Sequence, residues 1–166
     1  MRKKADVVIV GGGVMGLATA YYLSKRGRTN VVVVERGYLC GGASGRNGGG
    51  VRAQFSTETN IRLMRQSIEL CKAFANEMSI NVWFRQGGYL FLVETKESLA
   101  RLEKVVAIQN ACGLGTRILE PREIPALVPE ISLDGIVAAS FNPDDGVVFP
   151  WPFLWGYARA AERAGV

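Results

Sequence analysis

The sequence predicts an α/β fold that opens with a parallel βαβ unit. Three observations carry this prediction: a valine-rich strand over residues 5–10, an apolar helical pattern over 14–26, and a second strand over 30–35. Four of the six residues from 11 to 16 are glycine, and they lie between the first strand and the helix. The second strand ends in an acid, Glu35. This order of strand, glycine turn, helix, strand and acid is typical of the Rossmann-like unit that binds a dinucleotide.

Three glycines of the turn each serve a different structural purpose. Gly11 allows a tight turn, Gly13 lets the backbone approach a pyrophosphate, and Gly16 lets the helix pack closely against the strand. The helix N-terminus is expected to hold the phosphates, because its unpaired N–H groups and its dipole favour an anion. Glu35 follows Gly16 by nineteen residues and is placed to accept hydrogen bonds from an adenosine ribose.

Further helices and strands are predicted along the rest of the chain. A glycine-rich loop over 37–56 precedes a helix that Ser56 or Thr57 caps and that reaches about Met78. One apolar stripe is expected on that helix: Ile61, Met64, Ile68, Cys71, Ala75 and Met78. Strands are predicted over 89–93 and 136–140, with a turn over 142–146 and a short return strand over 147–149. Helices are predicted over 96–111, in a short turn from Pro121, and from Pro152 to about Gly165.

Composition argues against several function classes. The formal charge is +5, but the basic residues are dispersed, so we expect no nucleic-acid partner. No apolar run approaches the roughly 20 residues that a membrane helix needs, so no membrane span is expected. The chain has no histidine, and Cys40, Cys71 and Cys112 are far apart. We therefore expect no metal site, reduced thiols and a cytoplasmic location.

A second glycine cluster follows the βαβ unit. Six of the ten residues from 41 to 50 are glycine, and Ser44, Arg46, Asn47 and Arg52 lie in or just after the cluster. Such a composition is also typical of a flexible linker. Three features favour a ligand-binding loop instead: the polar side chains, the position directly after Glu35, and the well-patterned helix that follows. Glycine backbone amides and a serine hydroxyl suit a pyrophosphate and a flat ring system.

Together these motifs resemble a known family of flavoenzymes. The residues that carry the resemblance are the 11–16 turn, Glu35-Arg36, the stretches 42–49 and 51–55, the strand 88–92, and the segment 138–146. The chain resembles FAD-dependent amine and amino-acid oxidoreductases of the D-amino-acid oxidase type. The likeness is greatest to the β subunits of heterotetrameric sarcosine oxidase and dye-linked L-proline dehydrogenase. Members of this family are more than twice as long, so we expect an N-terminal portion, incomplete at its C-terminus.

The resemblance implies a role for each matching residue. The residues implied to bind FAD are Gly11, Gly13, Val14, Met15 and Gly16 at the pyrophosphate, Glu35 at the ribose, Arg36 beside the adenine, and Gly42, Ala43, Ser44, Arg46, Asn47, Gly48 and Gly49 along the phosphates and the isoalloxazine. Arg52 matches an arginine that pairs with the substrate carboxylate. The alternative for Arg52 is a solvated loop arginine. We assign no flavin attachment to the three cysteines.

The resemblance also implies an activity and a domain division. The expected function is oxidation of an amino-acid-type amine, such as sarcosine or proline, to an imine by hydride transfer to flavin N5. We expect residues 1–80 to bind FAD, 81–149 to start a mixed-sheet substrate domain, and 150–166 to return to the FAD domain. Companion subunits of a hetero-oligomer are a further expectation. The alternatives are a catalytically incomplete fragment or flavin-binding subunit, and an NAD-dependent dehydrogenase. No general base is evident, and Asp144 and Asp145 are interpreted as turn residues.

Overall fold

The computed structural model describes residues 4–166, and the following elements lie within them. In chain order they are β1 (Val7–Val10), α1 (Val14–Lys25), β2 (Val31–Val34), β3 (Gly50–Val51), α2 (Glu58–Met78), β4 (Tyr89–Val93), α3 (Lys96–Ala111), β5 (Arg117–Leu119), β6 (Ala138–Asn142), β7 (Gly146–Val147) and α4 (Pro150–Arg163). Short 3₁₀ turns occupy Ala43–Gly45 and Pro121–Ala126. No helix among the described residues is long and apolar enough to cross a membrane.

The described chain divides into two compact units. The first unit comprises the described residues up to Gly49, together with Cys71–Phe84 and Val148–Val166. The second unit comprises Gly50–Leu70 and Arg85–Val147. Helix α2 contributes residues to both units. The domain division predicted at residues 80 and 149 stays a prediction, because compactness alone does not define a functional domain.

The first unit contains the predicted βαβ arrangement. Strands β1 and β2 pair in parallel, with Val7 opposite Val31 and Val10 opposite Val34. Ile9 packs against the core, whereas Val10 is 85% exposed, as the alternation of side chains along a strand requires. Helices α1 and α4 pack against each other in this unit. Their shared core includes the buried residues Leu17, Ala20, Tyr21, Phe74, Leu154, Tyr157 and Ala161.

The second unit is built on an antiparallel sheet. Its strand order is β4–β6–β5, with Tyr89 opposite Asn142 and Arg117 opposite Phe141. All five residues of β6 are buried, as expected for a central strand. One hydrophobic cluster of this unit comprises the buried residues Leu119, Ile124, Ala139 and Phe141. A separate short pair joins β3 to β7, antiparallel.

Most elements agree closely with the sequence prediction, and the exceptions are short strands and shifted boundaries. Strand β4 and helix α3 have the predicted bounds, and α2 begins directly after Thr57, one of its two predicted caps. Strands β3 and β5 were not predicted, because strands of two or three residues are stabilised by distant partners and carry no periodic pattern. Strand β6 lies two residues later than predicted, because its pairing with β4 extends through Asn142. Helix α4 begins at Pro150 rather than Pro152, with a proline in its first turn.

The apolar stripe predicted for α2 is largely confirmed. Ile61, Ile68, Cys71 and Met78 are buried, and Phe74 adds a buried aromatic side chain to the same helix. Met64 and Ala75 are half-buried. The three cysteines are free thiols, as predicted, and burial raises the pKa of the Cys71 thiol to about 11. A thiol with a raised pKa is a poor nucleophile, so Cys71 acts as a small apolar residue.

Close packing between α1 and the turn before it explains Gly16. A Cβ atom added at Gly16 would overlap the carbonyl oxygen of Gly11 and would lie 3.2 Å from Ile9 Cγ2. The obstructing atom belongs to the backbone, so no side-chain movement relieves the overlap. The structure therefore has the close approach of helix and strand that Gly16 is predicted to allow.

We expect substitution of Gly16 by alanine to destabilise the fold. Because helix and turn must separate to admit the methyl group, the free energy of unfolding should fall by about 1–3 kcal/mol in urea denaturation. Gly115→Ala is the matched control, since nothing lies within 4 Å of a Cβ added there. Equal stability of the Gly16→Ala and Gly115→Ala proteins would contradict the packing argument.

Candidate functional site

The turn between β1 and α1 presents backbone donors without side chains. Gly11 has a φ of +109°, a conformation that glycine adopts without strain, and its N–H donates to Val34 O at 2.8 Å. Gly13 is the N-cap residue of α1 in an extended conformation and has no side chain to cap the helix. The N-cap residue therefore provides no side-chain cap to the first amides of α1, which leaves this helix end open to partners from elsewhere in the chain or to an anion.

Glu35 lies at the end of β2 and is hydrogen-bonded to the glycine turn. Its carboxylate accepts from the Gly12 N–H at 2.8 Å through Oε2 and from the Gly37 N–H at 3.0 Å through Oε1. These two bonds, that from Gly12 first, lower the pKa of the Glu35 carboxyl below its usual value. The charged form is favoured, and a fixed carboxylate at this position can accept hydrogen bonds from a ribose.

The second glycine cluster reaches the same helix end. Ser44 Oγ accepts from the Val14 N–H at 3.1 Å, so a residue thirty positions away caps α1. A Cβ added at Gly13 would lie 3.2 Å from this hydroxyl oxygen. The Ser44 hydroxyl donates to no acceptor within residues 4–166, so its proton is available and it is a candidate phosphate contact.

Asn47 stabilises the second glycine cluster from within. Its Nδ2 donates to Ser44 O at 2.8 Å and to Ala43 O at 3.3 Å, and its Oδ1 accepts from the Gly49 N–H at 2.8 Å. These bonds make the segment an ordered loop rather than a flexible linker. The Asn47 side chain is thus engaged with the loop, and its geometry suits a loop-positioning role.

Most of the remaining predicted cofactor residues are accessible, whereas Gly49 is buried against Val148. Met15 is 78% exposed, and Arg36 and Arg46 are exposed side chains in the same unit. Nothing lies within 4 Å of a Cβ added at Gly42 or Gly48, so both face open space. The first unit therefore combines open glycine backbone, accessible helix amides and a fixed acid. These features fit a dinucleotide with a pyrophosphate and a ribose.

Arg52 lies in the second unit, between two aromatic rings. Its guanidinium carbon is 4.8 Å from the ring centroid of Phe55 and 4.9 Å from that of Phe91. Cation–π contacts of this kind stabilise the side chain while leaving the N–H donors at the edge of the guanidinium plane. Within residues 4–166, no group forms an ion pair or a hydrogen bond with this guanidinium. Its donors are available for a planar carboxylate.

A buried polar cluster next to Arg52 was not predicted. Asp145, interpreted from the sequence as a turn residue, is fully buried and accepts hydrogen bonds from Ala53 N–H, Gln54 Nε2 and Asn142 Nδ2. The sequence signal that separates it from the exposed Asp144 is weak, since both lie in one turn-forming segment.

Among the described residues, no group of three or more histidine, cysteine or acidic residues is arranged to hold a metal ion.

Comparison with known proteins identifies the family of the chain. A model of the DAO family, described as FAD dependent oxidoreductase, matches residues 6–166. The chain belongs to this family. The predicted cofactor, FAD, is that of the family, and the predicted α/β FAD-binding fold is confirmed.

Individual relatives of the chain agree with the predicted resemblance. The sarcosine oxidase subunit beta of Rhodobacter capsulatus is 32% identical over 170 residues, covering 99% of this chain and 41% of that protein. The mitochondrial dimethylglycine dehydrogenase of Rattus norvegicus is 30% identical, covering 99% of this chain and 19% of that protein. The L-proline dehydrogenase structure from P. horikoshii has a TM-score of 0.91 and 35% identity, covering 99% of this chain and 43% of that one. The chain thus spans less than half the length of each.

The titration of Glu35 tests the geometry of the glycine turn. The lowered pKa means that the carboxyl binds protons more weakly in the folded chain than in the unfolded chain, whose value is about 4.3. Its contribution to stability is present above that value and is lost as the pH falls through the folded pKa. We expect a carbon-13 NMR titration midpoint below about 4.3, shared by the Gly12 and Gly37 amide protons.

Glu35→Gln provides the control for this titration, because it removes the proton-binding group and keeps the side-chain size. In that variant the Gly12 and Gly37 amides should no longer follow a carboxyl titration. A wild-type midpoint at or above the unfolded value would contradict the two hydrogen bonds.

Proposed function

We propose that this chain binds FAD through its first unit and contributes, through Arg52, to oxidation of an amino-acid-type amine such as sarcosine or proline. One observation supports the substrate assignment beyond family membership. The Arg52 guanidinium carbon lies 4.8 Å and 4.9 Å from the ring centroids of Phe55 and Phe91, and its donors have no hydrogen-bond or ion-pair partner among the described residues. A bidentate guanidinium–carboxylate pair sets both the position and the orientation of an amino acid. The names of the relatives, which include sarcosine oxidase and L-proline dehydrogenase, support this substrate class.

The cofactor contacts follow from the donors and acceptors of the first unit. In the proposal, Gly11, Gly13, Val14, Met15 and Gly16 form the backbone surface for the pyrophosphate. The Ser44 hydroxyl donates to a phosphate oxygen while accepting from Val14 N–H. Glu35 accepts hydrogen bonds from the ribose hydroxyl groups, and Arg36 flanks the adenine.

The second glycine cluster completes the proposed cofactor site. Gly42, Ala43 and Gly48 line the phosphates and the isoalloxazine with little steric hindrance, and Arg46 supplies positive charge. Gly49 is buried against Val148 and contributes its backbone at the end of the loop. Asn47 acts on the cofactor through the loop, because its side-chain amide is bonded to the backbone at Ala43, Ser44 and Gly49. The resemblance implied that Asn47 contacts FAD directly. We assign it an indirect role instead, because its side chain forms three hydrogen bonds with the loop.

The chemistry is divided between cofactor and protein. Bound FAD would accept the hydride equivalent from the substrate α-carbon, which leaves an imine that water hydrolyses. The protein orients the substrate, and an Arg52–carboxylate pair would limit the approach of the α-carbon to a narrow range of geometries. No proton transfer is assigned to Asp145, since it is fully buried and its hydrogen-bond partners are all donors.

Two further parts of the proposal concern the setting of the chain. We propose companion subunits, because relatives such as the sarcosine oxidase subunit beta are by name components of larger enzymes. We also propose a cytoplasmic location, for which the three free thiols are the supporting observation.

Removal of the Glu35 charge should weaken FAD binding. We expect Glu35→Gln to lower FAD affinity by about 10- to 100-fold, which corresponds to the loss of about 1.5–3 kcal/mol from hydrogen bonds to a charged group. Quenching of flavin fluorescence on titration measures this affinity. Glu130→Gln, at an exposed position in the second unit, is the control and should bind FAD as wild type does. Unchanged affinity in Glu35→Gln would contradict the ribose assignment.

Replacement of Arg52 by lysine should separate substrate binding from cofactor binding. Lysine keeps the charge but loses the planar fork, so Arg52→Lys should raise the KM for sarcosine or proline by about tenfold or more and leave the FAD content unchanged. Perturbation of the bound flavin spectrum by the amino acid gives a second measure of the same affinity. Arg101→Lys is the control. Loss of bound FAD in Arg52→Lys would show that Arg52 serves the cofactor instead.

A further inference from the structure

Asp145 is a fully buried carboxylate, and the proposed function assigns it no step. It lies between β6 and β7, directly after Asp144, which is exposed. Burial of a charge is costly unless several donors satisfy it. A solvent-exposed residue, such as Asp144, can form the turn without this cost. Turn formation alone therefore does not explain why Asp145 is buried.

Its hydrogen bonds converge on the two residues that follow Arg52. Asp145 Oδ1 accepts from the Ala53 N–H at 2.7 Å, and Asp145 Oδ2 accepts from Gln54 Nε2 at 3.1 Å. Asn142 Nδ2 adds a third donor at 3.1 Å. Asp145 therefore holds the backbone at Ala53 and the side chain at Gln54.

Gln54 extends the cluster to two paired strands of the sheet, the edge strand β4 and the central strand β6. Its Nε2 also donates to Tyr89 O at 2.8 Å on β4, and its Oε1 accepts from Ser140 Oγ at 2.8 Å on β6. Gln54, Ser140, Asn142 and Asp145 are all buried. Buried networks whose members are satisfied are rigid, because each displaced group loses a partner in a medium of low dielectric constant.

The negative charge of Asp145 is also favoured by the nearby positive charge of Arg52. Burial is the largest influence on the Asp145 carboxyl and raises its pKa, while the three hydrogen bonds and the Arg52 charge act in the opposite direction. All three hydrogen-bond partners donate, so each bond requires an acceptor oxygen. An amide at position 145 would point an NH₂ group at one of these donors.

We propose that Asp145 is a positioning residue for Arg52. By holding Ala53 and Gln54, it keeps the adjoining guanidinium between Phe55 and Phe91 with its donors free for a carboxylate. This inference rests on the proposed function, which assigns the substrate carboxylate to Arg52. It adds that the orientation of Arg52 is set by a buried charge about ninety residues further along the chain.

The test compares Asp145→Asn with the matched control Asp144→Asn in the nitrogen-15-labelled chain. The readout is the Nε–Hε NMR resonance of Arg52, identified by its loss in Arg52→Lys. In wild type the two rings should shift it away from the resonances of exposed arginines such as Arg101. We expect Asp145→Asn to move it to that exposed position and Asp144→Asn to leave it unchanged. An unmoved Arg52 resonance in a folded Asp145→Asn protein would overturn the proposal.

A milder variant keeps the test decisive if Asp145→Asn fails to fold, as judged by lost dispersion of the β4 and β6 amide resonances. Ser140→Ala removes one hydrogen bond from Gln54 and leaves Asp145 in place. In that case a partial shift of the Arg52 resonance in Ser140→Ala supports the positioning role. The wild-type resonance position in Ser140→Ala would then overturn it.

Titration with acetate separates this inference from the proposed function. In wild type, acetate should perturb the Arg52 resonance saturably, and Asp145→Asn should lower the acetate affinity by about tenfold, the loss expected when a charge-assisted pair is misaligned. If acetate leaves wild-type Arg52 unperturbed while Asp145→Asn still shifts its resonance, the substrate assignment is wrong and the positioning role stands.

Discussion

The close contact between helix α1 and the turn that precedes it is the constraint on which the first unit depends. Gly16 faces the carbonyl oxygen of Gly11, and no side chain fits between them. This approach directs the first amides of α1 outward from the carboxyl end of β1. The parallel register then places Val34 opposite Val10, so that Glu35 follows directly at the same end of the sheet. The proposed phosphate surface and the proposed ribose acid thus both follow from one packing contact and one strand register.

Two carboxylates accept the same type of hydrogen bond but have different roles because one is exposed and the other is buried. Glu35 and Asp145 each accept a hydrogen bond from a backbone N–H, from Gly12 and Ala53 respectively. Glu35 lies at the surface, where such bonds lower its pKa, whereas burial is the largest influence on Asp145 and raises its pKa. The exposed carboxylate remains accessible to a ligand. The buried one can act only through the residues that it holds.

The sequence predicts best what is encoded locally. The βαβ unit was predicted because each part has its own short pattern, and Gly16 and Glu35 follow from spacing within that unit. Asp145 lies in the predicted turn, but its burial was not predicted because it depends on Ala53 and Gln54, about ninety residues away, and no periodicity reports such a contact. The aromatic contacts of Arg52 were missed for the same reason, since Phe91 reaches it from β4. The bonds of Asn47 to its own loop depend on the turn geometry of residues 43–49, which the glycine-rich composition does not specify.

The central claim is that the glycine turn and the glycine cluster together form an FAD site. Parallel titrations of the purified chain with FAD and with NAD, followed by gel filtration and absorbance, test this claim most directly. We predict that flavin absorbance co-elutes with the chain at one FAD per chain and that NAD is not retained. Retention of NAD without FAD would contradict the claim and favour a nicotinamide-dependent dehydrogenase. Retention of neither would also contradict it, and would favour a catalytically incomplete fragment.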